Sequence, residues 1–66
     1  MNKIKIVSAS ELSKVIDAPR SNRGLYLSLE SDGTDIVLVA CDNSTGDAWV
    51  EEFYSTKDAM RWLERS

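Results

Sequence analysis

The chain has 66 residues, 42% of them hydrophobic and 29% charged, with a formal net charge of −3, which is enough for a single small domain over residues 1–66. It holds no histidine and one cysteine. That excludes an internal disulfide, argues against a zinc site and removes the commonest general base of enzyme chemistry.

The N-terminal stretch alternates Ile4 and Ile6 with Lys3 and Lys5, the period-two pattern of a short strand with one wet face. It has no extended apolar region, so no secretory signal is expected. Ser8-Ala9-Ser10-Glu11-Leu12 then predicts a helix start: Ser8 caps, Glu11 reaches back, and Val7 and Leu12 form a hydrophobic staple. The helix should reach about Asp17, because Pro19 disfavours helical geometry before it. Leu12, Val15 and Ile16 are its expected buried stripe. Pro19 to Gly24 is a connector with turn residues and two arginines.

Leu25, Leu27 and Leu29 alternate with Tyr26, Ser28 and Glu30, predicting a second strand. Asp32-Gly33 suits a two-residue hairpin turn. Folding about it opposes Leu29 to Ile36, Leu27 to Leu38 and Leu25 to Ala40, with all six on one face. The run Ile36 to Cys41 is the longest purely apolar one, far short of the roughly 20 residues that cross a bilayer. Asp42 to Asp47 is a polar loop without the ligand spacing of a calcium loop. A third antiparallel strand over Ala48–Tyr54 should place Trp49 opposite Ala40 and Phe53 opposite Ile36, on the core side. Glu51 then points inward unless a bulge intervenes. The last helix starts at Ser55 or Thr56, has Asp58 in its first turn, and buries Ala59, Trp62 and Leu63. On this reading Trp62 is the anchor of the core. The fold class is α+β in the order β-α-β-β-β-α, a three- to four-stranded, mainly antiparallel sheet with both helices on one face.

Three surfaces invite a partner. If both helices cover one face, the other carries Tyr26, Val37, Val39, Val50 and Glu52, and a contiguous apolar patch on a small protein marks a protein or dimer contact. Basic residues offer a nucleic-acid alternative: Lys3, Lys5, Lys14, Arg20 and Arg23 near the N-terminus, and Lys57, Arg61 and Arg65 spaced four apart along the last helix. An acidic set of Glu30, Asp32, Asp35, Asp42 and Asp47 offers a third reading, a decoy for a basic partner. The charge is uneven: residues 1–23 carry five cations against Glu11 and Asp17, whereas the remainder carries nine acids against three cations. The lone Cys41 sits in a strand pattern as a small buried residue and suits a reducing cytoplasm. No catalytic site, cofactor, metal or membrane contact is expected.

The sheet followed by Phe53 to Leu63 resembles the small domain of HicB-type antitoxins, where a β-meander leads into a helix opened by a hydroxyl residue and an acid-alanine pair. Ser55, Asp58 and Ala59 match that helix start, whereas the family's glycine-cysteine turn is missing. In size and style the chain also resembles small accessory proteins of phages and conjugative elements in Gram-positive bacteria. With the outer-face patch and the lone cysteine, the expectation is a small cytosolic, non-enzymatic accessory or regulatory protein acting by protein–protein contact through the outer sheet face, with another chain or as a homodimer.

Overall fold

The computed structural model describes residues 3–31 and 33–65. Strand β1 (Ile4–Val7) leads into helix α1 (Ala9–Asp17), and a short 3₁₀ turn (Pro19–Ser21) connects to β2 (Gly24–Ser31). Strands β3 (Ile36–Asn43) and β4 (Trp49–Phe53) and helix α2 (Thr56–Glu64) follow. The fold is α+β with the expected β-α-β-β-β-α order. Its four strands lie in the spatial order β1-β2-β3-β4. β1 pairs parallel to β2, and the other two pairings are antiparallel.

Both helices start at the predicted serine caps, although Glu11 meets the Ser8 hydroxyl rather than the Ser8 backbone N–H expected of a capping box. The Ser8 hydroxyl accepts from the Glu11 backbone N–H at 3.2 Å and donates to the Glu11 carboxylate at the same distance. Val7 and Leu12 pack in one cluster, completing the staple. The Ser55 hydroxyl accepts from the Asp58 N–H. Ile16, expected in the buried stripe of α1, is instead 41% exposed.

The helices do not share a face. Leu12 and Val15 of α1 pack on Tyr26, Val37, Val39 and Cys41. Ala59 and Leu63 of α2 pack on Leu25, Leu27, Leu38 and Ala40. Neighbours along a strand point to opposite sides, so the sheet is sandwiched between the two helices. This corrects the expectation of a one-sided arrangement. The physical reason is β3, whose unbroken apolar run gives both of its faces side chains that must leave water. A helix joining the adjacent parallel strands β1 and β2 must lie over one face, and α2 takes the other.

Both antiparallel registers lie two residues from those predicted. Ser31 pairs with Ile36, Leu29 with Leu38 and Leu27 with Ala40, so the connection spans residues 32–35 rather than Asp32-Gly33 alone; Asp32 lies outside the described residues. Gly33 adopts φ +96° and its N–H donates to the Ser31 hydroxyl at 3.2 Å. Likewise Trp49 pairs with Asp42, Glu51 with Ala40 and Phe53 with Leu38. A slip of two leaves every side chain on its expected face. It changes depth, however: Trp49, expected in the core, is 66% exposed. Glu51 shares the α2 side with Trp49 and is exposed, so its charge stays in water without a bulge.

The interior of α2 is Ala59 and Leu63, each 0% exposed, whereas Trp62 is half-buried at the flank, its ring 5.9 Å from that of Phe53. Leu63, rather than Trp62, therefore anchors this layer. Leu63→Ala should cost about 2–4 kcal/mol through lost burial and the cavity left behind, against a total of about 3–10 kcal/mol for a chain of this length. Urea unfolding should show a much lower midpoint with an unchanged slope, and an unchanged midpoint contradicts the assignment.

Candidate functional site

Helix α1 covers most of the face on which a binding patch was expected. Tyr26, Val37 and Val39 are buried beneath it or beside it, whereas Val50 and Glu52 on β4 remain exposed. The premise of an open apolar face is therefore corrected: three of its five residues are core. The Tyr26 hydroxyl donates to the Asn22 carbonyl at 2.8 Å, and the Lys5 ammonium lies 5.9 Å from the centre of its ring.

Coverage by α1 is incomplete for a geometric reason. Nine residues of helix span about 14 Å, and an eight-residue strand such as β3 runs about 26 Å. The uncovered part is a groove of about 170 Å³ lined by Glu30, Ser31, Val37, Val39, Glu52 and Tyr54, with no residue of α1 and no lysine or arginine. Pairing explains its shape. Val37 lies beside Glu30 of β2, and Val39 lies beside Glu52 of β4. The two valines, each only 8% exposed, lie at the bottom of the groove, the two glutamates stand at either side, and Tyr54, 72% exposed, stands just beyond the end of β4. Alternation along β2 and β4 already placed Glu30 and Glu52 with the valines, but Tyr54 was assigned no role.

The start of β4 is fixed by a clamp that residue patterns did not reveal. Asn43 is fully buried. Its amide donates to the Pro19 and Asn22 carbonyls, each at 2.7 Å, and its side-chain oxygen accepts from the Ala48 N–H at 3.1 Å. One side chain thus joins the β3–β4 loop to the connector before β2. Ala48 takes φ +51°, a left-handed geometry that costs an alanine roughly 1 kcal/mol. Gly46, at φ +89°, packs where an added Cβ would sit 3.6 Å from Arg23 Nε. Directly after this clamp comes the exposed Trp49. The sequence reading places Asn43 in the polar loop; the structure instead ends β3 at Asn43 and extends its side chain to residues 19 and 22.

The other predicted sets are divided by the fold. Lys5 and Lys14 lie on the α1 side, Arg20 and Arg23 lie in the connector against Gly46, and Lys57 and Arg61 lie on α2, with Arg65 closing it, across the sheet. Lys3 precedes β1 at the sheet edge. Among the acids, Glu30 and Asp35 belong to the β2–β3 hairpin end, and Asp42 and Asp47 to the opposite end. Asp42 accepts from the Ser44 N–H and hydroxyl at 3.0 and 2.7 Å, and Asp47 accepts from the Thr45 hydroxyl at 3.1 Å. These two acids shape their own turn.

Cys41 is fully buried, and burial pushes its thiol up, with the Asp42 carboxylate adding to the effect. Among the described residues no group of three or more His, Cys, Asp or Glu side chains converges to hold a metal ion, and no helix is long and apolar enough to cross a membrane. On the α2 face, Ile6, Leu29 and Ile36 lie beyond the reach of that helix and are exposed. No family model, curated protein or solved structure matches the chain.

Two substitutions test this account of the site. Asn43→Ala removes three hydrogen bonds and takes from the Ala48 N–H its side-chain acceptor, so it should cost about 2–4 kcal/mol; a melting temperature equal to that of the native chain contradicts the clamp. Ser28 is also fully buried, and its hydroxyl has no hydrogen-bond partner among the described residues. Ser28→Ala should therefore be neutral or stabilise by up to about 1 kcal/mol, and a marked loss of thermal stability would show that the hydroxyl has a partner.

Proposed function

We infer that this protein is a small, non-enzymatic accessory or regulatory protein of a reducing cytoplasm that works by binding another protein chain. The observation that carries this reading is the groove over Val37 and Val39. It joins an apolar floor, two carboxylates and a prominent tyrosine, and it lies on paired strands that hold its shape. Tyrosine at such a place supplies large contact area at low entropic cost. At about 170 Å³ the groove falls below the roughly 300–1,000 Å³ of sites that engulf small molecules, which favours a side chain delivered by a partner. The absence of histidine from the sequence and the sealed Cys41 thiol also favour binding over catalysis. Nucleic acid is the weaker reading, because the basic residues are split between the two sides of the sheet and no single stripe tracks a phosphate backbone.

A photo-crosslinking residue placed at Tyr54, with a control at Lys57 on α2, tests the reading in extract of the source cell. Adducts with a defined protein at position 54 and none at position 57 are expected. Equal labelling at both, or none at position 54, contradicts it.

A further inference from the structure

Strand β4 stands at an open edge of the sheet, with β3 on one side and, among the described residues, no strand on the other. All its residues except Phe53 are exposed, and Trp49 and Tyr54 lie at its two ends. An edge of this kind either is defended against pairing or receives a strand. Its charges decide which strand it can receive. Glu51 points to the α2 side and Glu52 to the α1 side, so a neighbouring strand meets a carboxylate on each face. Two β4 strands laid antiparallel bring glutamate against glutamate, and like charges opposite one another destabilise a pair. A strand carrying lysine or arginine meets the opposite situation on both faces.

The groove adds a length requirement. Its floor lies on β3, and a strand docked outside β4 would run two strand spacings away, about 10 Å. Even a lysine or arginine is too short to reach that floor, but its aliphatic stem crosses β4 and brings its cationic head to Glu52 at the near rim of the groove. Tyr54 offers a ring face to the same cation. The clamp at Asn43 and Ala48 fixes the start of β4 before any partner arrives, which lowers the ordering cost of binding.

We propose that β4 is a recognition strand that takes an extended basic segment of a partner protein as a fifth strand, pairing one arginine or lysine with Glu52 at the near rim of the groove. This rests on the groove reading above and names its partner chemistry. The occupant is defined by alternation: basic residues on the groove side, and a backbone free to donate and accept along the β4 edge.

The test is titration of the ¹⁵N-labelled protein with a short capped peptide alternating arginine and valine. Three control peptides replace arginine by glutamate, methylate alternate backbone nitrogens, or scramble the alternation. Shifts centred on Trp49–Phe53 are expected, with slowed amide exchange on β4, binding that weakens steeply with added salt, and loss on backbone methylation. Glu52→Lys, an exposed change that leaves the core intact, should weaken binding by about fivefold or more. The proposal is overturned if the glutamate peptide binds equally, if the scrambled or methylated peptide binds as well as the alternating one, or if the shifts centre on Ile6, Leu29 and Ile36. It is also overturned if the protein alone self-associates through the Lys3–Lys5 edge of a second copy. Failure of the peptide with crosslinking at position 54 intact removes the added-strand mode and keeps the groove; failure of both removes the groove reading.

Discussion

The structure depends on the burial of β3 from both sides. Val37, Val39 and Cys41 point to α1, and Leu38 and Ala40 point to α2. A strand with apolar side chains on both faces cannot stop at one layer of cover, because each uncovered face would leave several large side chains in water. With only 66 residues, the chain meets this demand with two helices of nine residues each. The crossover between parallel strands β1 and β2 supplies one, and the return after β4 supplies the other.

The same economy leaves surface open. A helix of about 14 Å shields only part of strands nearly twice as long, and the uncovered portions differ in chemistry. On the α1 side the remainder is a groove rimmed by Glu30, Glu52 and Tyr54, with the buried Val37 and Val39 at its bottom. On the α2 side it is the aliphatic strip of Ile6, Leu29 and Ile36. The candidate site is thus a consequence of how far a short helix reaches, combined with the residues that β4 carries at the sheet edge. Glutamates at that edge repel a second β4 and leave the backbone able to pair with a strand of opposite charge.

The opposite end of the sheet is held by polar contacts. Asn43 offers two donors and one acceptor inside the fold, and all three are used. A buried amide fully satisfied in this way specifies one arrangement of two loops, since any displacement leaves the amide's own donors and acceptor without partners. It also accounts for the left-handed Ala48, whose local cost of roughly 1 kcal/mol is offset by the hydrogen bond to Asn43. The register of β4, and with it the exposure of Trp49, follows from that clamp.

What the sequence determined by itself was local and periodic. Ser8, Glu11 and Ser55 announced the helix starts because capping needs only residues three apart. The alternation of Leu25, Leu27 and Leu29 fixed which side chains share a face because a strand has period two, and a register error of two residues leaves that intact. Only the tertiary structure decided which face each helix covers, how deep Trp49 and Trp62 lie, and that Asn43 joins residues 19, 22 and 48. Those outcomes depend on contacts between residues distant in the chain, so no local pattern encodes them. The unbroken run from Ile36 to Cys41 did carry the two-sided burial of β3. It became legible only when strands were paired on both of its edges and helices laid on both of its faces.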